Sequence, residues 1–206
     1  MTPIRRPDPS QITEALSSQA LTYPEVGATS DPDALASIPD RYDLDRHRFT
    51  LGSGRPLYER ARASLLTWRH FDIPWLELHG STREVVPDGV VATLVRVAGL
   101  WLVNPCRVVY IEGRSGEADE TAFAYGTLPG HAEQGEERFS IRLDPVGGEV
   151  VYEVTVFSRP ARLLSRIGYP WARRVQRRFV AASAEALASA CRSEARRLVR
   201  PPPPRT

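Results

Sequence analysis

Hydrophobic residues recur every three or four positions in two separate parts of the chain, a spacing that places them on one face of a helix. The first stretch begins near Pro56, a residue suited to the first turn of a helix, and its apolar positions are Tyr58, Ala61, Leu65 and Trp68. The second covers residues 171–200, with a continuous stripe of Trp171, Val175, Phe179, Ala182, Ala186 and Ala190. The pattern therefore predicts two amphipathic helices, the second of them long. Shorter helices are predicted over residues 11–20 and 163–167, and a loop over residues 31–40.

Between the two main helices the hydrophobic period changes to two, which is typical of strands. Phe139, Ile141 and Leu143 alternate with Arg138, Ser140 and Arg142, and short turn signals separate the successive runs. Strands are predicted over residues 90–97, 100–104, 107–112, 121–127, 137–143 and 149–157. Because such short connections join antiparallel neighbours, these runs form one antiparallel sheet.

The order of elements predicts an α+β fold in which a curved antiparallel sheet of six or seven strands wraps around the long C-terminal helix. This is a helix-grip arrangement, and it leaves a cavity between the sheet and the helix, where ligand sites are common. Residues 1–22 are expected to form an N-terminal tail with a short helix, residues 23–200 a single domain, and residues 201–206 a proline-rich tail.

Composition adds one unusual feature, because all 27 basic residues are arginine and the chain has no lysine. This excludes a Schiff base on a side chain and a lysine-containing phosphate loop. The bias itself is typical of GC-rich bacterial codon usage. The net charge of +2 conceals a polarity, since residues 159–200 carry +9 and residues 1–158 carry −8. A nucleic-acid or anionic-membrane surface has such a charge pattern. A basic helix that lies across an acidic sheet, with some arginines paired to it and the others on a solvated face, has it too, and this is the interpretation we favour.

The first residues, the most apolar stretch and the cysteines bear on the compartment in which the protein works. The first ten residues lack the apolar region of a secretory signal, and the most apolar stretch, residues 90–103, is too short to span a bilayer. Cys106 and Cys191 make no disulfide framework. We therefore expect a cytoplasmic protein without a transmembrane segment. The sequence does not indicate its oligomeric state.

Residues 125–139 form the segment richest in reactive side chains. The alternation that includes Phe139 places Glu137 on the apolar face, where a carboxylate must be paired or have a raised pKa. Arg107 and Arg159 are the candidate partners, and a carboxyl of raised pKa beside His131 could act in acid–base catalysis. The alternative is a solvated polar loop between two strands.

Metal and cofactor motifs are not found. His131, Glu133, Glu136 and Glu137 match no zinc spacing, and neither a Cys-x-x-Cys nor a His-Glu-x-x-His motif is present. Both cysteines are expected to be buried small hydrophobes, since no nucleophile motif surrounds them. We expect no metal and no cofactor.

The same loop carries a family resemblance. Residues 126–139, Gly-Thr-Leu-Pro-Gly-His-Ala-Glu-Gln-Gly-Glu-Glu-Arg-Phe, resemble the signature of uncharacterised protein family 0548, a domain of unknown function found in bacteria and plants. Further segments resemble the family in order: residues 23–29, 51–54, 68, 74–75, 104–110, 157–160, 168–170, 176 and 179. The resemblance implies one domain related to the helix-grip superfamily, which includes START-like lipid-transfer proteins, Bet v 1-like plant allergens and aromatase/cyclases. It implies no particular reaction.

Three functions are compatible with these observations. The first is a binding module for a small apolar or aromatic ligand, which we favour. Its ligand-binding residues are expected to be Tyr125, Thr127, Arg107, Arg138 and Arg159. The second is a cyclase, isomerase or hydrolase on the same cavity. Its catalytic residues are expected to be His131, Glu136 and Glu137, with Arg138 or Arg107 stabilising negative charge. The third and least favoured is a nucleic-acid or anionic-surface binder that uses the C-terminal arginines.

Overall fold

The computed structural model describes residues 6–80, 82–97, 100–113, 118–161 and 169–199. These contain one curved sheet of seven strands, all antiparallel, in the order β1-β7-β6-β5-β4-β3-β2. The strands are β1 (Asp43–Ser53), β2 (Leu76–Gly80), β3 (Val90–Val97), β4 (Leu100–Glu112), β5 (Glu120–Thr127), β6 (Glu133–Leu143) and β7 (Glu149–Pro160). Together with the C-terminal helix, this sheet confirms the predicted α+β, helix-grip-like architecture.

Among the described residues, four α-helices accompany the sheet: α1 (Pro9–Ala15), α2 (Pro32–Ala36), α3 (Arg55–Leu66) and α4 (Tyr169–Val199). The two amphipathic helices thus form where the hydrophobic period places them. Helix α1 ends well before residue 20, and α2 lies in a segment predicted to be a loop. It forms because the Asp31 side chain accepts hydrogen bonds from the N–H groups of Asp33 and Ala34, while Pro32 starts the helix. The helix predicted over residues 163–167 lies outside the described residues.

The two edge strands carry a weak sequence signal, and neither was predicted as a separate strand. Strand β1 reads Asp-Leu-Asp-Arg-His-Arg-Phe-Thr-Leu-Gly-Ser, and its residues are only partly buried or exposed. Charged side chains are common on edge strands because they oppose pairing with other chains. The break predicted at Pro105 does not occur, because Leu100–Glu112 is one strand.

Both faces of the sheet are covered. On one face, α3 and α4 bury a core that includes Tyr58, Leu65, Phe123, Phe139 and Leu187. On the other face, the segment that precedes β1 packs a smaller cluster onto β7. Its members are Tyr23, Ala28, Leu35, Tyr42 and Phe157. Consecutive residues of β6 and β7 point to opposite faces of the sheet. One therefore faces the core under α3 and α4, and the next faces the side of the N-terminal segment.

The described arginine side chains of α4 form the expected solvated face but not the expected ion pairs with the acidic body. The described side chains Arg174, Arg177, Arg178, Arg192 and Arg196 are at least partly exposed, and none forms an ion pair with another described residue. Arg178 instead lies over the Trp75 ring, 4.9 Å from its centre. Within the described part of the chain, no helix is long and apolar enough to cross a membrane.

Candidate functional site

A pocket of about 200 Å³ opens between the sheet and the first turns of α4, and we call it the helix–sheet pocket. Strands β3 to β7, the segment that leads into β2, and α4 all contribute to it. Its walls are mainly apolar and include Phe71, Leu76, Val95, Leu102, Val156 and Phe179. A few polar residues interrupt them, among them Asn104, Tyr125, His131, Glu137 and Ser158. Such a concave, apolar surface with few polar groups is typical of small-molecule sites.

Glu137 is a buried acid in this pocket, and its pKa is raised. It is 9% exposed, and its Oε2 accepts a hydrogen bond of 2.6 Å from the Tyr125 hydroxyl. Its other oxygen, Oε1, is buried and has no hydrogen-bond partner among the described residues. Burial raises the pKa of Glu137 to about 7, although the hydrogen bond from Tyr125 opposes this rise. The carboxyl group therefore changes its charge near neutral pH.

His131 stands at the turn into β6, and its ring is fixed by the backbone. Its Nδ1 lies 2.9 Å from the backbone nitrogen of Glu133, whose N–H can donate to it, and 3.0 Å from the carbonyl oxygen of Glu133, to which a protonated Nδ1 can donate. These two contacts are compatible with either tautomer of the neutral imidazole. Burial of the ring lowers the pKa of His131 to about 4. At neutral pH this residue thus carries no positive charge.

Glu136, although next in sequence, points to the opposite face of the sheet. Its carboxylate accepts hydrogen bonds from the Tyr23 hydroxyl (2.7 Å), the Gly27 N–H (2.8 Å), and the Thr29 N–H (3.1 Å) and hydroxyl (2.5 Å). Both carboxylate oxygens are therefore occupied. Glu136 was a candidate catalytic residue, but in this geometry it anchors the N-terminal segment to the sheet.

Gly126 makes this anchor sterically feasible. A Cβ atom at this position would lie only 2.1 Å from the Tyr23 hydroxyl oxygen, far inside van der Waals contact. Any larger residue would push Tyr23 away from Glu136. Two segments that resemble the family signature, residues 23–29 and 126–139, thus meet in one hydrogen-bond network.

The structure does not bring the three predicted arginines to the pocket. Arg107 donates to the backbone carbonyls of Leu16 and Ser17, at 3.2 and 2.7 Å. Arg159 donates to the Gln134 side chain at 3.1 Å. Neither Arg159 nor Arg107 pairs with Glu137. Arg138 lies on the outer face, where it contacts two glutamates at 2.7 Å each, Glu112 and Glu120. Consecutive strand residues face opposite sides, so Arg138 and Glu137 cannot share a site.

Thr127 does line the pocket, but its hydroxyl is already engaged. The Thr127 Oγ1 lies 2.6 Å from the Thr22 hydroxyl and accepts a hydrogen bond of 3.1 Å from the N–H of Gly135. Of the predicted site residues, the structure therefore brings together Tyr125, Thr127, His131 and Glu137.

Sequence reasoning missed Ser158 and the aromatic walls as parts of the site. The Ser158 Oγ is buried without a hydrogen-bond partner among the described residues, and it belongs to the same strand face as Val154 and Val156. Extending the alternation of β7 by one step would have placed it there. Cys106 is buried close enough to Glu137 for that carboxylate to raise its thiol pKa further, beyond the effect of burial. No group of three metal-ligating side chains occurs among the described residues.

Comparison with known proteins identifies relatives of the whole fold. Residues 22–186 match the family model described as a domain of unknown function, DUF1990. A UPF0548 protein of Arabidopsis thaliana is 38% identical over 151 residues, which is 72% of this chain and 73% of the relative. A UPF0548 protein of Deinococcus radiodurans is 36% identical over 190 residues, 85% and 91% of the two chains. Among solved structures, Thalictrum flavum norcoclaurine synthase is similar in fold, with a TM-score of 0.53 and 10% identity over 74% of this chain and 96% of that one.

Proposed function

Because the chain belongs to the DUF1990 family of UPF0548 proteins and has a helix-grip-like fold, we propose that it binds a small, largely apolar or aromatic molecule in the helix–sheet pocket. The polar group of this molecule would contact Glu137 and Ser158. Its apolar body would lie between the sheet and α4.

The observation that carries this proposal is a pair of unsatisfied polar atoms. Glu137 Oε1 and Ser158 Oγ are both buried without partners among the described residues, and both residues line the same pocket. An unpartnered buried polar atom costs about 1–3 kcal/mol, so native structures rarely keep two of them in one pocket without use. A ligand with one polar group would satisfy both.

The size of the pocket limits the ligand. Engineered cavities of about 150 Å³ hold one benzene molecule. The helix–sheet pocket, at about 200 Å³, therefore suits one six-membered ring with a short substituent. Phe71 and Phe179, whose ring centres are 5.3 Å apart, supply an aromatic wall for such a ring.

We test this proposal with 2-phenylethanol, which combines one ring with one hydroxyl. Titration followed by NMR should shift the amide signals of β5, β6 and β7 around the pocket. Val156→Phe fills the pocket, and Leu102→Trp obstructs its partly exposed wall; each should weaken binding at least tenfold. Val146→Phe, on a residue that is 95% exposed, is the matched control and should bind like the wild type. Equal binding by all four proteins would contradict the proposal.

A second candidate function, acid–base catalysis on a small carbonyl compound, is favoured by the raised pKa of Glu137. A group that titrates at about 7 can both accept and return a proton at neutral pH. Exchange of the methyl protons of acetophenone with D₂O, followed by ¹H NMR, provides a test. Wild type should accelerate the exchange, and Glu137→Gln should remove most of the acceleration. An equal rate in the two proteins excludes this role for Glu137, and a His131→Ala variant tests the imidazole in the same way.

A further inference from the structure

The described side chains that line the helix–sheet pocket include acids but no cation. This protein has 27 arginines and no lysine, yet none of the described lining residues is an arginine. The predicted site arginines, Arg107, Arg138 and Arg159, make their contacts elsewhere. Arg178 lies over the ring of Trp75, a wall residue, but is not itself part of the lining. His131 is neutral at physiological pH because burial lowers its pKa. The described lining therefore offers a ligand no positive charge of its own.

The same pocket contains a carboxyl group without a counterion. Glu137 is more than nine-tenths buried, and among the described residues its hydrogen-bond partner is the Tyr125 hydroxyl. Burial of a carboxylate is costly unless donors or a cation compensate for the lost water. Its Oε1 still lacks a donor among the described residues. A ligand in the pocket can therefore supply this oxygen with a hydrogen-bond donor or a positive charge.

The aromatic walls of the pocket also favour a positively charged ligand. Phe71, Tyr125 and Phe179 are close neighbours, with centre-to-centre distances of 6.2 Å for Phe71 to Tyr125 and 5.3 Å for Phe71 to Phe179. Aromatic faces attract a cation through their electron-rich surface. An ammonium group carries three donors, more than the two acceptors Glu137 Oε1 and Ser158 Oγ require.

On the basis of the proposed function, we propose that the pocket selects small primary amines with an apolar ring, whose ammonium group binds Glu137 and Ser158, and rejects carboxylic acids of the same shape. The amine supplies the counterion that Glu137 lacks. An acid would place a second negative charge beside Glu137, with no arginine among the described lining residues to compensate.

Three probes of matched shape test this charge selection: phenethylamine, 2-phenylethanol and phenylacetate. Their dissociation constants are measured at pH 7.5 by NMR titration on the full chain. Phenethylamine should bind at least tenfold more tightly than 2-phenylethanol, and phenylacetate at least tenfold more weakly than 2-phenylethanol. Glu137→Gln should remove most of the advantage that the amine has over the alcohol. Glu185→Gln, on an exposed residue of α4, is the matched control and should change none of the three.

The outcomes separate this inference from the proposed function. If the alcohol or the acid binds as tightly as the amine, with signals that shift around the pocket, charge selection is overturned while the pocket remains a binding site. If an advantage of the amine persists in Glu137→Gln, the role of Glu137 is overturned. If none of the three probes binds, both this inference and the proposed function fail.

Discussion

Replacing Glu137 by glutamine should make the protein more stable at alkaline pH. Glutamine keeps the shape of the side chain and an oxygen that can accept the hydrogen bond from Tyr125, but it cannot ionise. The carboxyl of Glu137 titrates near 4.5 in the unfolded chain and at about 7 in the folded protein. Between these values the folded state binds more protons than the unfolded state, so the wild type loses stability as the pH rises.

The size of this effect follows from the two pKa values. Each pKa unit corresponds to about 1.4 kcal/mol, so complete ionisation of Glu137 costs the fold roughly 3 kcal/mol. Most of this cost appears between pH 5 and pH 7.5. Relative to Glu137→Gln, the wild type should therefore lose roughly 2–3 kcal/mol between pH 5 and pH 8.5.

Urea unfolding, followed by tryptophan fluorescence at several pH values, measures this difference. Other titrating groups are common to both proteins, so they cancel when the two free energies of unfolding are subtracted. Glu185→Gln, at an exposed position, should show a difference that does not depend on pH. A constant difference between wild type and Glu137→Gln from pH 5 to pH 8.5, or a wild type that gains relative stability, would refute the assigned environment of Glu137.

Three further predictions concern neighbouring parts of the fold. Tyr125→Phe removes the hydrogen bond that opposes the rise, so the pKa of Glu137 should increase further, as measured by ¹³C NMR of its carboxyl; an unchanged or lower value would count against the contact. His70 is fully buried, neither ring nitrogen has a partner among the described residues, and burial lowers its pKa to about 3. As the pH falls below 6.5, the unfolded chain binds a proton at His70 and the folded protein does not, so the free energy of unfolding decreases. In urea unfolding, the wild type should lose about 2 kcal/mol between pH 7.5 and pH 5 that His70→Phe does not lose. Parallel pH profiles of the two proteins would contradict this. Gly126→Ala should cost roughly 2–4 kcal/mol of unfolding free energy, because its methyl group collides with Tyr23. Tyr23→Phe should cost about 1–3 kcal/mol, because it removes the hydrogen bond to Glu136. An unchanged free energy of unfolding in Gly126→Ala would show that the Tyr23–Glu136 contact is not required.

Local periodicity predicted most of the elements and the orientation of residues within a strand. The alternation that includes Phe139 assigns Glu137 to the apolar face and Arg138 to the opposite one, and the structure has both residues there. The same rule assigns Glu136 to the face of Arg138, so the idea that Glu136 and Glu137 share one site conflicts with the strand geometry itself. Residue type alone made Glu136 look reactive.

Contacts between distant segments could not be predicted from the pattern. The anchor of Glu136 joins residues more than 100 positions apart in the sequence, and its partners are two backbone N–H groups and two hydroxyls with no charge signal. Strand β1 was missed because an edge strand with charged side chains lacks clear apolar alternation. The arginines were misplaced as partners of Glu137 because their reach depends on the register of the strands, which the sequence does not reveal.

The central claim is that a small molecule binds in the helix–sheet pocket with its polar group on Glu137. A crystal structure of the full chain grown with saturating phenethylamine tests this most directly. We predict that the ring lies against the wall formed by Phe71 and Phe179, with the nitrogen within hydrogen-bond distance of Glu137 Oε1. An empty pocket at saturating concentration, or a probe bound only elsewhere on the molecule, would contradict the claim.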